Sequence, residues 1–378
     1  MSIEKKKIAI LTSGHSPFDD RIFWKFGLSL SIKYDVYIIS SLTEINTIRH
    51  GVNVIGFTNY SNKKEKIAGF RSILLKIKPD LIFCSQPLTI FAARATLKAN
   101  KDCKIIYDVT EWYPENVAFK FKLLKRFFSY LILFISNIAA SNFSDLIIVG
   151  ENSKLSRYKV IAPFKSKIII GYYPVLKYFK NSPPAMTGGI IKLCYAGIIT
   201  FERGILQLFN ATLLLAKQRP ELNVELIIVG KFSYADEEII FNRLINSQNK
   251  VKFSLKNWTD YDKISEMIKE VDICFDLRVR NFIYRNSLPI KIFEYMACGK
   301  PFIYSDIKPI RKELGKIECG FFVNPDDLKE IVRKIELYLD NNDLILKHSH
   351  NGRIAIEREM NWENESIKLL ELVEKMVK

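Results

Sequence analysis

Short apolar runs alternate along the chain with longer stretches of helical period. The first half carries such runs at Ile8–Thr12, Val36–Ser40, Leu81–Cys84, Ile105–Tyr107 and Leu146–Val149, with helical patterns between most of them. Continuous apolar runs of this length, separated by helices, are the pattern of parallel strands covered on both faces. The pattern breaks at residues 171–190, where Gly171-Tyr172-Tyr173-Pro174 and Asn181-Ser182-Pro183-Pro184-Ala185-Met186-Thr187-Gly188-Gly189 are rich in Pro and Gly, so a linker is expected there. Strand-like runs restart at Ile191–Tyr195, Val224–Val229, Val251–Phe253, Asp272–Phe275, Pro301–Tyr304 and Phe321–Val323. Helical patterns then cover Asp326–Leu339 and Glu357 to the end, where Trp362, Ile367, Leu370 and Val373 would form the packed face.

The pattern predicts an α/β protein with two Rossmann-like domains. Residues 1–180 form the first, 190–356 the second, and 357–378 a terminal helix packing back toward the first. A length of 378 residues fits two ordinary domains better than one core. No repeat of 20 to 50 residues is present.

Charge changes the picture in the first half only. Residues 1–180 hold 28 Lys and Arg against 13 Asp and Glu, a net of +15, whereas the rest holds 29 against 28, a net of +1. An anionic partner is expected for the first half, drawn from membrane phosphates, nucleic acid or a phosphorylated acceptor. The six cysteines, at 84, 103, 194, 274, 298 and 319, match neither a zinc site nor a redox motif and suit a reducing cytoplasm. Met1–Lys7 runs straight into a strand, without the apolar stretch of a signal peptide.

In an open parallel sheet, ligands sit at the carboxyl ends of the strands. Four loops there carry unusual groupings. Thr12–Arg21 contains Gly14, which lets backbone approach a ligand closely, with His15, Asp19, Asp20 and Arg21; a plain helix cap by Asp19 or Asp20 explains it as well. Tyr107–Glu115 combines Asp108, Glu111 and Glu115 with Trp112 and Tyr113. Carboxylates and rings suit sugar hydroxyls and ring faces, and a capped loop is the alternative. Tyr195–Gly204 passes through Gly197 into a helix start beside Arg203, an arrangement able to hold an anion, with Lys231 after the neighbouring strand; a solvated arginine is the plain reading. The segment Asn286–Pro301 is a short helix begun by Pro289 and ended by Gly299. Ile290, Phe293 and Ala297 mark its buried side, so the Glu294 carboxylate needs a hydrogen-bonding partner, and a ribose diol supplies two donors.

This last segment resembles the ribose-gripping helix of the retaining family 4 glycosyltransferases of GT-B fold, S-L-P-x-K-x-F-E-Y-M-A-x-G-x-P. The other loops resemble that family's in order: H-x-x-x-D-x-R-I at His15–Ile22, Y-D-x-H-E-x-x-P-E at Tyr107–Glu115, and Y-x-G-x(5)-R-G at Tyr195–Gly204, while Asn361-Trp362-Glu363 resembles its C-terminal region. The resemblance implies two domains facing a cleft and a nucleotide-sugar donor held by Gly14, Gly197, Arg203, Lys231, Asn286, Ser287, Leu288, Lys291 and Glu294. It implies His15, Asp20, Arg21, Thr110 and Trp112 on the acceptor side, and Arg203, Glu111 and Asp19 as the catalytic candidates. No metal or other cofactor is implied, and the acceptor would be a glycan or lipid-linked glycan, as in bacterial surface polysaccharide synthesis.

Four positions depart from the family pattern. Asn286 replaces the first Glu of its Glu-x7-Glu signature, Thr110 replaces a His, and Phe83-Cys84-Ser85-Gln86 replaces H-x-H-D. Gln207-Leu208 lacks the Lys that often follows the diphosphate Arg, for which Lys231 is the substitute offered by the sequence. A GT-B nucleotide-sugar epimerase and a catalytically silent binding scaffold are the competing functions.

Residues 119–135 mix Lys120, Lys122, Lys125 and Arg126 with bulky apolar side chains. Their apolar part falls short of the roughly 20 residues of a spanning helix. They form either a surface helix on an anionic membrane, which would place the protein at the inner face of the cell membrane, or a helix buried on one side. Nucleic acid is not an expected partner, because no recognised module is present.

Overall fold

The computed structural model describes residues 5–186 and 189–378. Met1–Glu4, part of the leader expectation, and Thr187-Gly188, part of the linker expectation, lie outside the described residues. The chain divides into two compact units, the first running to Tyr172 and taking up Trp362–Lys378, the second Tyr173–Asn361.

The first unit is an eight-stranded sheet of β1 (Lys7–Thr12), β2 (Asp35–Ser40), β3 (Asn46–Arg49), β4 (Val52–Gly56), β5 (Leu81–Cys84), β6 (Lys104–Val109), β7 (Leu146–Val149) and β8 (Ser166–Ile169), in the order β3-β4-β2-β1-β5-β6-β7-β8. Only β3 and β4 pair antiparallel. Strands β5 and β7, each paired on both sides, are buried throughout, as their unbroken apolar runs require. Strands β3, β4 and β8 escape the sequence pattern because they are short, polar or half-exposed.

The second unit is a six-stranded parallel sheet of β9 (Ile190–Ile199), β10 (Asn223–Phe232), β11 (Lys252–Lys256), β12 (Ile273–Asp276), β13 (Phe302–Ser305) and β14 (Gly320–Val323), in the order β11-β10-β9-β12-β13-β14. Its core runs through Leu193, Tyr195, Leu226, Ile228, Phe275 and Ile303. Each fully buried aliphatic side chain there contributes about 1.5–3 kcal/mol. In both units chain order reverses beside the first strand, between β1 and β5 and between β9 and β12. The loops leaving those strands are where an open sheet offers a ligand its crevice.

Three expectations change. The boundary falls at Tyr172/Tyr173 and not near residue 180. The residues after it are held against the second unit, where the Val175 amide donates to the Tyr261 hydroxyl (3.1 Å) and the Lys180 amide to Ser265 Oγ (2.9 Å). The terminal helix Trp362–Met376 buries Trp362, Glu365, Leu369 and Val373, while Ile367 is 56% exposed. The buried residues lie along one helical stripe that the sequence reading placed out of phase, because Glu365 occupies an inward position and accepts from the Gly171 amide (2.7 Å).

The helix Leu123–Phe143 is also longer than expected. Its 21 residues are long and apolar enough to cross a membrane by length and composition, and only 11% of its most apolar stretch is buried. Asn137, Ala140 and Ser141 nevertheless pack into the unit, where Asn137 Oδ1 accepts from the Tyr107 (3.0 Å) and Tyr158 (3.2 Å) hydroxyls. Leu124, Phe127, Phe128, Leu131, Ile132 and Ile135 stay exposed.

Candidate active site

In the second unit the loops after β9 and β12 are knit together. Thr200 caps the turn Phe201–Arg203 through the Arg203 amide (3.2 Å), and the Val279 amide donates to the Glu202 carbonyl (2.9 Å). Gly204 ends the turn at φ +81°, and a Cβ there would stand 1.9 Å from the Leu277 carbonyl oxygen. The left-handed backbone and the close approach both require glycine. We therefore expect Gly204→Ala to cost at least about 1–3 kcal/mol of stability and to displace Arg203. Urea unfolding checks this, and an unchanged midpoint would contradict it.

A cluster of charge sits beside this junction. Lys291 donates from Nζ to the Tyr195 hydroxyl (2.7 Å) with its ammonium 3.9 Å from the ring centre. It rests on Gly197, whose φ of +128° leaves no room for a Cβ, which would lie 2.3 Å from Lys291 Cε. The charge of Arg203 acts on the same hydroxyl. At the end of β12 the fully buried Asp276 holds Arg278 through Nε (2.9 and 3.0 Å) and Nη2 (2.8 Å). Burial drives the Lys291 ammonium well below its usual range, Asp276 opposes this, Arg203 and Arg278 add to it, and Glu294 opposes it weakly. Arg203 and Glu294 thus share one environment, centred on Lys291.

The helix Ile290–Ala297 is buried on every side from Lys291 to Ala297, not on the single face that Ile290, Phe293 and Ala297 implied. The reason is that the helix lies in the interior of its unit, where Tyr295 accepts from the Ala196 amide (3.0 Å). Asn286 does not open this helix but ends a separate one, Phe282–Asn286, onto which Asn286 and Ser287 turn their side chains, donating to the carbonyls of Phe282 (2.7 Å) and Ile283 (2.7 Å); Leu288 is buried. Lys231 is exposed and leans toward Trp258, 5.8 Å from the ring centre.

In the first unit the loop after β1 folds over that after β5, with Gln86 Oε1 accepting from the Ser13 amide (2.8 Å) and its side chain lying against Gly14. His15 Nε2 bonds Thr110 Oγ1 (3.1 Å), and its Nδ1 is 3.9 Å from Asp19. Burial and the Asp20 carboxylate raise the Asp19 carboxyl to about 6, against the pull of His15 and two backbone amides. Lys154, itself buried, fixes Thr110 by donating to its carbonyl (2.7 Å). Glu111 is exposed at the end of the loop after β6.

Three acceptor-side expectations meet a different arrangement. Arg21 is 2% exposed and forms a two-pronged pair with Asp108, at 2.7 Å on both prongs, while donating to the Ile170 and Gly171 carbonyls. Asp20 is paired with buried Lys25 (2.7 Å). Trp112 is 6% exposed beneath the Arg157 guanidinium, which also pairs with Glu115 (2.6 and 2.8 Å). These groups hold the loops in place, while His15, Asp19 and Thr110 stay half-buried and Glu111 exposed.

Asp276 and Arg278 were missed by the sequence reading, although a carboxylate and an arginine directly after a strand-like run gave a signal. Among the described residues no group of three or more His, Cys, Asp or Glu side chains is placed to hold a metal ion.

With this geometry in view, residues 185–355 match the family model described as Glycosyl transferases group 1. The structure resembles a sucrose-phosphate synthase from Thermosynechococcus elongatus, at 15% identity and TM-score 0.76 over 98% of this chain and 99% of that one. It also resembles a glycosyltransferase from Rickettsia africae, at 14% identity and TM-score 0.73 over the whole of both chains. Anabaena HepE in complex with UDP-glucose matches at 16% identity and TM-score 0.70 over 98% and 99% of the two chains. No curated protein matches the sequence. The fold is GT-B, and the chain is an enzyme of the glycosyltransferase class.

Proposed function

We propose that this chain is a retaining transferase of the family 4 type, moving a hexose from a nucleotide-sugar, with UDP as the first candidate nucleotide, to a hydroxyl of a glycan or lipid-linked glycan. The observation that carries the reading is buried Lys291, seated on Gly197 and the Tyr195 hydroxyl beside the β9/β12 crevice and acted on by the charges of half-buried Arg203 and buried Glu294. A guanidinium and an ammonium suit two phosphoryl groups, and a buried carboxylate suits a ribose diol. The HepE structures are described as complexes with UDP and with UDP-glucose, which supports the choice of uridine. Catalysis in this scheme is electrostatic: Arg203 and Lys291 neutralise the diphosphate as it leaves, with the Ser287 and Leu288 amides along the donor. Lys291, and not Lys231, supplies the basic neighbour of Arg203. No metal is required. His15, Asp19, Thr110 and Glu111 are assigned to the acceptor, with Asp19 or Glu111 as its proton acceptor.

Thermal stabilisation by UDP, GDP, ADP and their sugars tests the donor, since a ligand bound to the native state raises the melting point. UDP-sugars are expected to stabilise the protein, with free UDP released only when a glycan acceptor is added. Isomerisation of the donor without acceptor would favour an epimerase, and binding without turnover a scaffold.

A membrane-presented acceptor is favoured by the exposed apolar stripe of Leu123–Phe143 and the basic residues before and within its first turn. Since Asn137 ties the second half of this helix to the protein, the helix is assigned to lie in the membrane surface and not to span it. Changing Lys120, Lys122, Lys125 and Arg126 to Glu is expected to abolish flotation with anionic liposomes, each basic residue contributing about 1 kcal/mol. Undiminished flotation would remove the membrane from the account.

A further inference from the structure

We infer that Asp276 is a positioning residue that gathers Arg203, Arg278 and Lys291 into one diphosphate seat, which the Tyr304 hydroxyl completes as a hydrogen-bonding group. The inference rests on the donor reading above and extends it to β12 and β13.

The charges of Arg203 and Arg278 oppose that of Lys291, and partial withdrawal from water strengthens such repulsion. A single carboxylate lies among them. Asp276 is fully buried, grips Arg278 with both oxygens, and is held below the ordinary carboxylate range, against the effect of burial, by Arg278, Lys291 and Arg203. Its own oxygens are engaged, so it acts on a ligand only through the cations it arranges. Three positive charges against Asp276 leave an excess of +2, and Glu294 reduces the charge felt at the Lys291 end. Such an excess suits the two phosphoryl groups of a nucleoside diphosphate and far exceeds what a neutral sugar needs.

Tyr304 supplies the second observation. It stands in register with Asp276 on the neighbouring strand, is fully buried, and has no hydrogen-bond partner for its hydroxyl. Its surroundings are Arg278, Asp276, Arg203 and Tyr284. A buried unpaired hydroxyl destabilises the free protein, and a phosphoryl oxygen would relieve that. Ser305 fixes this corner by donating from Oγ to the Arg278 carbonyl (2.8 Å).

Lys291 gives the arrangement a pH signature. It is faced by Asp276 and Glu294, which favour its charge, by Arg203 and Arg278, which disfavour it, and by the Tyr195 hydroxyl. UDP affinity should therefore fall as pH rises through the Lys291 pKa. Without the Asp276 carboxylate that fall moves to lower pH.

The test is calorimetric titration of UDP across pH 6–9 into the wild type, Asp276→Asn, Asp276→Asn combined with Lys291→Arg, and Tyr304→Phe. Asp276→Asn is expected to weaken UDP by about 10–100-fold, the loss of one charged hydrogen-bonding partner, and to shift the alkaline fall downward. Adding Lys291→Arg should remove the fall, because arginine stays charged. Tyr304→Phe should raise the melting temperature of the free protein while weakening UDP.

If the wild type binds no nucleoside diphosphate, the donor reading itself fails. If the wild type binds UDP and Asp276→Asn keeps both its affinity and its pH profile, the donor reading stands and this inference falls. Should Asp276→Asn not fold, Tyr304→Phe decides: greater stability with unchanged UDP affinity overturns the seat.

Discussion

Replacing Arg203 with Ala is expected to lower kcat/KM for sugar transfer by roughly 10²–10³-fold, the usual cost of removing a preorganised group that meets developing charge. The folded protein should hardly notice. Arg203 is only half-buried, and its backbone is fixed independently by the Thr200 cap and the Gly204 turn. Lysine at the same position would keep the charge but lose the planar fork, so Arg203→Lys should recover part of the rate and not all of it. Steady-state kinetics beside a melting curve without ligand checks this. Activity within about threefold of wild type would remove Arg203 from the reaction, since that ratio is below 1 kcal/mol.

The second large effect is expected in the first unit. Asp108→Ala leaves the Arg21 guanidinium buried without its carboxylate, and breaking such a pair from one side costs about 3–5 kcal/mol. The Ile170 and Gly171 carbonyls still accept from Arg21, but they carry no formal charge. The double change Arg21→Met with Asp108→Leu should be clearly less harmful than Asp108→Ala alone, because it removes both desolvated charges together. Urea unfolding of the three proteins measures this. A cost below about 1 kcal/mol for Asp108→Ala would place the pair among ordinary surface ion pairs.

These two arginines show what the sequence could and could not reveal. Both follow the first strand of their unit through a glycine-containing loop, and the family resemblance, not spacing, assigned both to ligands. Arg203 stays half-buried in the crevice where chain order reverses. Arg21 is consumed by Asp108, a partner 87 residues away whose inward direction is set by β6 and leaves no mark in the local pattern. Trp112 is covered in the same way by distant Arg157, whereas Asp20 is engaged by Lys25 of its own helix.

Each described strand of the second unit was legible: β9, β10, β12 and β13 write the apolar runs of parallel strands covered on both faces, while the short, half-exposed β11 shows only through Val251 and Phe253 beside it and within it. Strands β3, β4 and β8 write no such run. Lys291 was legible as a donor-site residue only through the family motif. Its place over Gly197 depends on a positive φ and on a helix buried all round, neither of which periodicity records.

The most direct test compares the binding of UDP and uridine to the wild type and to Arg203→Ala. The central claim is that the β9/β12 crevice holds two phosphoryl groups. Wild type should then bind UDP at least about 100-fold more tightly than uridine, a gap of roughly 2.7 kcal/mol, and Arg203→Ala should close most of that gap. Equal affinity of wild type for UDP and uridine, with the other nucleoside diphosphates no better than their nucleosides, would contradict the account.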